Sequence, residues 1–154
     1  MSRVDGGVYP VYDNVFKLGT KGRESTEEDF AEVADMESFS VSYDNNVEEW
    51  TPFTLQGWKR RLVTGKGFSI TLSGKRHIGD KGNDYAASFA WKSGKDTETI
   101  GRWEMPDGTV IDFDCVVNLS ADGGDSTNVN TLEIELLSDG KPRITEATTT
   151  TTTD

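Results

Sequence analysis

Cysteine and histidine each occur once in the 154 residues, as Cys115 and His77. A single cysteine excludes an intrachain disulfide, and its position on the apolar side of an alternating run predicts a buried, inert thiol. Any catalytic triad or zinc site would have to be built around one imidazole, and His77 lies in a glycine-rich polar stretch, where a solvated side chain is the simpler reading. Basic residues are scarce as well: 16 Lys and Arg stand against 27 Asp and Glu, and Lys59-Arg60-Arg61 is the only basic run in a chain of net charge −11. Sequence-reading nucleic-acid binders need a basic stripe for the phosphates, so this composition argues against one. No apolar run approaches the ~18 residues that suggest a membrane span. The N-terminus lacks a charged-then-apolar leader, and the expectation is a soluble chain made in the cytoplasm. The apolar fraction is 34%, and the 16 glycines bring it only just below the usual ~45–50%. Such a composition leaves room for a partner to complete the core.

Several short motifs fall away on spacing. Gly65-Lys66-Gly67 and 79–82 lack the phosphate-loop order with Ser or Thr after the lysine, and turn glycines explain both. Asp122 and Asp125 lie outside any EF-hand order of acids and glycine. Asn118-Leu119-Ser120 is a glycosylation sequon inside a strand-like run, without a secretion signal to give it meaning. No metal and no cofactor is expected.

What the sequence does contain is alternation. Over 97–119 two strand-like runs flank Pro106-Asp107-Gly108, where proline pre-sets one turn position and glycine supplies the positive φ that follows, which predicts a hairpin. On its second strand Ile111, Phe113, Cys115, Val117 and Leu119 share a face, opposed by Asp112, Asp114 and Asn118. Strict alternation predicts further strands over 36–44, 67–73 and 131–137. Asn83 opens a helix toward Ser93, in which Tyr85/Phe89 and Ala86/Ala90 form i,i+4 pairs and Gly94 is the stop.

The rest is less regular. Residues 1–17 carry Val8, Tyr9, Val11, Tyr12, Val15 and Phe16 without period and read as an extended arm. Ser25-x-x-Glu28 resembles a capping box, compatible with a short helix to Val33 or with an acidic loop. Residues 58–64 read as a strand or as one helical turn. Residues 45–57, which include Glu48, Glu49, Trp50 and Phe53, lack period and read as a loop long enough to suggest a function. The chain is therefore expected to form one domain over 1–147, its N-terminal arm covering 1–32, followed by a disordered threonine-rich tail, 148–154.

The fold class expected is mainly β, with one flanking helix and extended arms. The strands present a second face of Ser38, Ser40, Ser42, Ser69, Thr71, Ser73, Asp112, Asp114, Glu133 and Glu135, interrupted by Arg102 and Glu104. A solvent-facing antiparallel sheet has such a polar side. A side so small, polar and negative also suits a wall that a polyanion must pass without being held.

Together, several segments resemble the major tail (tail tube) proteins of long-tailed phages of Gram-positive bacteria. They are Asp35-Met36-Glu37-Ser38-Phe39, Val47-Glu48-Glu49-Trp50, Gly57-Trp58-Lys59-Arg60-Arg61, Leu72-Ser73-Gly74-Lys75-Arg76, Gly82-Asn83-Asp84-Tyr85, Phe113-Asp114-Cys115 and Gly123-Gly124-Asp125-Ser126-Thr127-Asn128. The resemblance spans nearly the whole chain. It implies a tail-tube-type β-sandwich subunit, not an enzyme, that forms hexameric rings stacked into a virion tail tube, assembled in the host bacterial cytoplasm. It implies as partners other copies of the chain, a tape measure protein and other tail proteins, with DNA passing through unbound and no membrane contact. The loop with Glu48, Glu49, Trp50 and Phe53 would then join one ring to the next, and Asp112, Asp114, Glu133 and Glu135 would face the lumen. The alternative reading is a carbohydrate-binding β-sandwich with Trp50, Trp58, Trp91 and Trp103 as stacking platforms.

Overall fold

The computed structural model describes residues 6–146. Its strands are β1 (Val15–Gly19), β2 (Phe30–Glu32), β3 (Met36–Trp50), β4 (Arg60–Lys75), β5 (Glu98–Glu104), β6 (Val110–Gly123), β7 (Thr131–Ser138) and β8 (Arg143–Thr145), with helix α1 (Lys81–Ala87) between β4 and β5. They pair antiparallel in one sheet of order β2-β1-β5-β6-β7-β4-β3, and β8 extends it by pairing with the start of β6. The architecture is mainly β with a single flanking α-helix among the described residues, as the alternation predicts.

The sheet folds back on itself, so that its apolar side becomes an enclosed core. Phe39 of β3 lies 4.8 Å from Phe16 of β1 and 5.8 Å from Trp103 of β5, ring centre to ring centre. Phe68 meets Phe113 edge-on at 5.1 Å. Ile70, Leu72, Phe113, Cys115, Val117, Leu132, Ile134 and Leu136 alternate inward and are buried, each contributing roughly 1.5–3 kcal/mol of hydrophobic stabilisation for a large aliphatic or aromatic side chain. Gly101 is glycine because the Phe113 ring occupies its side-chain space: a β-carbon there would come within 2.7 Å of the ring.

The β5–β6 turn forms as its chemistry requires. Gly108 has φ +89°, its N–H donates to the Met105 carbonyl at 3.0 Å, and the Asp107 carboxylate accepts from Thr109 N–H at 2.9 Å. That bond holds the Asp107 carboxyl below its usual range.

Helix α1 both starts and ends earlier than expected: it stops at Ala87, and Ser88–Trp91 continue as a 3-10 turn, so the expected Ala86/Ala90 pair does not lie within one α-helix. Asp80, rather than Asn83, is the cap: its carboxylate accepts from Asn83 N–H at 2.9 Å. Asn83 is instead wholly buried. It accepts from His77 N–H and from Arg76, and donates to the Ala34 and Lys75 carbonyls, joining helix, β4 and the turn before β3. The helix lies so close to β2 that a β-carbon on Gly82 would overlap the Glu32 carbonyl.

Three expectations are corrected. The N-terminal arm does not extend over 1–32: β1 is an interior strand between β2 and β5, and β2 is its outer neighbour, because Phe16 and Leu18 supply core side chains. The capping box is Thr26–Asp29 on a single 3-10 turn that leads into β2. Residues 45–50, expected within the loop 45–57, are the outer half of β3, while of 58–64, read as a strand or one helical turn, residues 60–64 are strand in β4. The threonine tail, 148–154, falls outside the described residues.

Candidate functional site

The polar side of the sheet has the parity the sequence predicts. Asp112 and Asp114 of β6 and Glu133 and Glu135 of β7 are each half-buried and out of phase with the buried residues beside them. In register, Glu135 lies across from Asn118 on one side and Thr71 on the other, and Thr71 across from Ser40; Glu133 lies beside Ser73, which faces Ser38. The β3–β4–β7 part is therefore a field of hydroxyls with two glutamates. Glu135 accepts from Asn118 at 3.2 Å, and the Glu133 carboxylate has no partner among the described residues.

The β1–β5–β6 part is different, because cations neutralise its acids. Arg102 donates to Asp112 at 2.7 Å and to Glu27 at 2.8 Å, lies 4.2 Å from the Phe30 ring centre, and is raised above its ordinary value by those carboxylates. The same guanidinium holds Glu27 below the usual carboxylate range. Arg143 of β8 reaches Asp114 at 3.2 Å, and Lys17 reaches Glu104 at 3.0 Å. Of the four acids singled out, two are thus engaged by arginines and two have no cation partner among the described residues. The cross-strand position of Arg102 opposite Asp112 was recoverable from the hairpin register; Arg143 was not, since β8 gives only three residues of signal.

Beyond Tyr43 the β3–β4 hairpin leaves the body of the molecule. Pairing runs out to Glu49↔Arg61 and Trp50↔Arg60, with a bulge after Asn46. At the ~3.3 Å rise per residue of a strand, residues 44–50 extend it by about 20 Å. Almost every side chain here is exposed on both faces. One face carries an ion cluster in which Glu49 bonds Arg61 at 2.8 Å and Lys59 at 3.6 Å, lowering the Glu49 pKa chiefly through Arg61. The other has Arg60 over the Trp50 ring at 5.7 Å. Glu48, Glu49 and Trp50 therefore sit in a strand rather than a loop, while Phe53 forms part of a 3-10 turn at the tip. Phe53 is fully exposed and Trp58 is 77% exposed. Among the described residues, little or nothing packs against these apolar side chains.

Other residues of interest do not form a site. Trp103 is core, Trp91 follows α1, and Trp50 and Trp58 belong to the hairpin, so the four tryptophans make no common platform. His77 contacts the Asp35 carboxylate in an exposed loop. Among the described residues no group of three or more His, Cys, Asp or Glu side chains is placed to hold a metal. Sequence reasoning missed the open groove at the base of the hairpin, walled by β3, β4 and the β7–β8 turn, since alternation identifies the strands that line it but not which turn closes it.

Neither a protein-family model nor a curated protein matches the sequence. Among solved structures, the chain is similar in fold to a chain of the tail of an empty gene transfer agent particle, refined helically with C6 symmetry. The TM-score is 0.74 with 16% identity over 90% of this chain and 99% of that one. A chain of the virion of a native gene transfer agent particle gives 0.70, again with 16% identity and the same coverage. The likeness extends over nearly the whole fold, a mainly antiparallel β sheet with one α-helix among the described residues.

Proposed function

We propose that this chain is a structural tail tube subunit: copies associate into rings, six per ring as in the C6 tail to which its fold is similar, and the rings stack into a conduit for DNA in a phage-like virion. Other tail proteins, a tape measure protein among them, are its expected partners. The observation that carries the reading is the projecting hairpin, whose exposed Phe53, Trp58 and Trp50 require a second molecule to be buried, in an interface with an apolar centre and a polar, charged rim. Strand β3 adds to it. It is a fifteen-residue edge strand, free of proline and lysine along its length. Such an edge offers its unpaired backbone groups to another chain within the ring.

The hydroxyl-rich side of β3, β4 and β7 is the lumen wall in this reading. Ser38, Ser40, Ser42, Ser69, Thr71 and Ser73 offer no cation to grip a phosphate, and Glu133 and Glu135 repel it within the ~8 Å screening length of physiological salt. The engaged acids Asp112 and Asp114 contribute chiefly to holding the sheet. Trp50→Ala tests the assembly claim. Its loss removes a surface cation–π contact of about 0.5–1 kcal/mol, so the subunit should stay folded by circular dichroism yet fail to sediment as tubes. A Trp50→Ala protein that assembles normally would remove the hairpin from the interface.

A further inference from the structure

The two ends of the subunit differ in charge and in relief. The hairpin, 44–67, has four basic and three acidic side chains in a chain of −11 overall. At its base lies a groove of about 910 Å³ whose walls include Tyr43, Val63, Phe68, Trp103, Pro142 and Ile144. Lys66 and Lys141 also line it, both exposed, and neither has an ion-pair or hydrogen-bonding partner among the described residues. At the opposite end of the sheet, where Gly123 pairs with Thr131 and Thr131 with Lys75, the β6–β7 connection, 121–130, contains Asp122 and Asp125 and no basic residue. Both carboxylates are exposed and have no side-chain partner among the described residues, and Val129 beside them is 63% exposed.

These two surfaces cannot meet within one subunit. Gly67 at the groove and Lys75 beside the acidic loop are eight residues apart on the same strand, about 26 Å at a strand's rise, and the loop is tied at both ends by strand pairing. They can meet between two copies arranged head to tail, the arrangement that generates an open stack rather than a closed dimer. The same approach lays the projecting hairpin alongside the second copy, so hairpin and groove form one continuous surface.

We propose that the groove at the hairpin base receives the 121–130 loop of a second copy, with Lys66 and Lys141 meeting Asp122 and Asp125 and with Val129 entering the apolar part. The inference rests on the assembly reading above and names the surface that the hairpin end docks on. Opposite charges facing each other fix the register and exclude head-to-head stacking, where like charges would meet.

The test is a charge exchange, with assembly followed by sedimentation and negative-stain imaging and folding by circular dichroism. Lys66→Glu with Lys141→Glu, and separately Asp122→Lys with Asp125→Lys, should each raise the concentration at which tubes form by about tenfold or more, the equivalent of about 1.4 kcal/mol. The four changes combined should bring it back toward the wild-type value. A second measurement does not depend on tolerance of charge reversal: Lys141→Cys with Asp125→Cys in one chain should give a ladder of disulfide-linked oligomers on oxidation of assembled protein, since Cys115 is buried and takes no part. Reversed pairs that assemble at the wild-type concentration, a combined variant as impaired as its parents, or oxidised assemblies that run only as monomer would each overturn the docking while leaving the tube reading intact. A wild-type chain that never assembles would instead refute the tube reading itself.

Discussion

Asn83 is the residue on which most local structure depends. Its side chain is fully buried and joins three segments through hydrogen bonds to His77 N–H, Arg76 and the carbonyls of Ala34 and Lys75. Asn83→Ala leaves part-buried backbone groups of Ala34, Lys75 and His77 without this partner, and a loss of about 1–3 kcal/mol in a denaturant titration is expected. Beside it, Arg76 and the Gly79 N–H hold the Asp84 carboxyl below its ordinary value. Since the folded pKa is depressed, the stabilisation is present in full above the unfolded value near ~3.9 and is lost as pH falls through the folded one. Acid unfolding monitored by fluorescence should therefore show Asp84→Asn less sensitive than the parent below about pH 4, although weaker at pH 7. Cys115 gives a third residue-scale expectation. Burial raises its thiol to about 12, so a thiol reagent at pH 8 should label it only once the protein is unfolded; prompt native labelling would contradict a closed core at β6.

At the scale of elements, legibility follows the core. Residues 36–43 of β3, 68–73 of β4, the second strand of the hairpin and β7 each alternate because one face meets the interior, and the sequence shows that alternation directly. The outer halves of β3 and β4 are strands of equal regularity in their pairing, yet neither face meets the core, so nothing selects for period and 45–57 reads as loop. β1 was hidden for another reason. It is five residues long, too short for Phe16 and Leu18 to establish a period, and its neighbours in space come from distant parts of the chain. The cap of α1 was misplaced by three residues because Asp80 and Asn83 are both good capping types; only the tertiary need to satisfy Ala34 and Lys75 carbonyls assigns Asn83 elsewhere. The site residues divide in the same way. Parity placed Asp112, Asp114, Glu133 and Glu135 on one side correctly, but parity does not reveal which carboxylates have a cation. The prediction at this scale concerns the tip: Phe53→Ala removes a side chain without intrachain packing, so stability should shift by less than about 0.5 kcal/mol while assembly is lost. A large fall in thermal stability would mean that the tip packs within its own subunit.

For the whole molecule, the described residues form a body with a hydrophobic interior, a hydroxyl-rich sheet face and a long exposed hairpin, which are the wall and the assembly surface in the reading proposed above. If that face is the wall, its charge falls to Glu133 and Glu135, since Asp112 and Asp114 are held by Arg102 and Arg143. Glu133→Lys with Glu135→Lys should accordingly leave folding and tube formation intact and slow DNA release from complete particles, followed by dye accessibility of the ejected DNA. Reversal of Asp112 would instead place a lysine against Arg102 and destabilise the sheet, so the two pairs separate lumen charge from structural charge. Release at the parental rate from the Glu133/Glu135 variant would show that this face is not the wall. The most direct measurement of the central claim is electron microscopy of the purified full-length chain at high concentration. Hollow tubes of stacked rings with sixfold symmetry are expected, their polar sheet face inward; a monodisperse small particle at every concentration, or fibres without a lumen, would contradict a tail tube role.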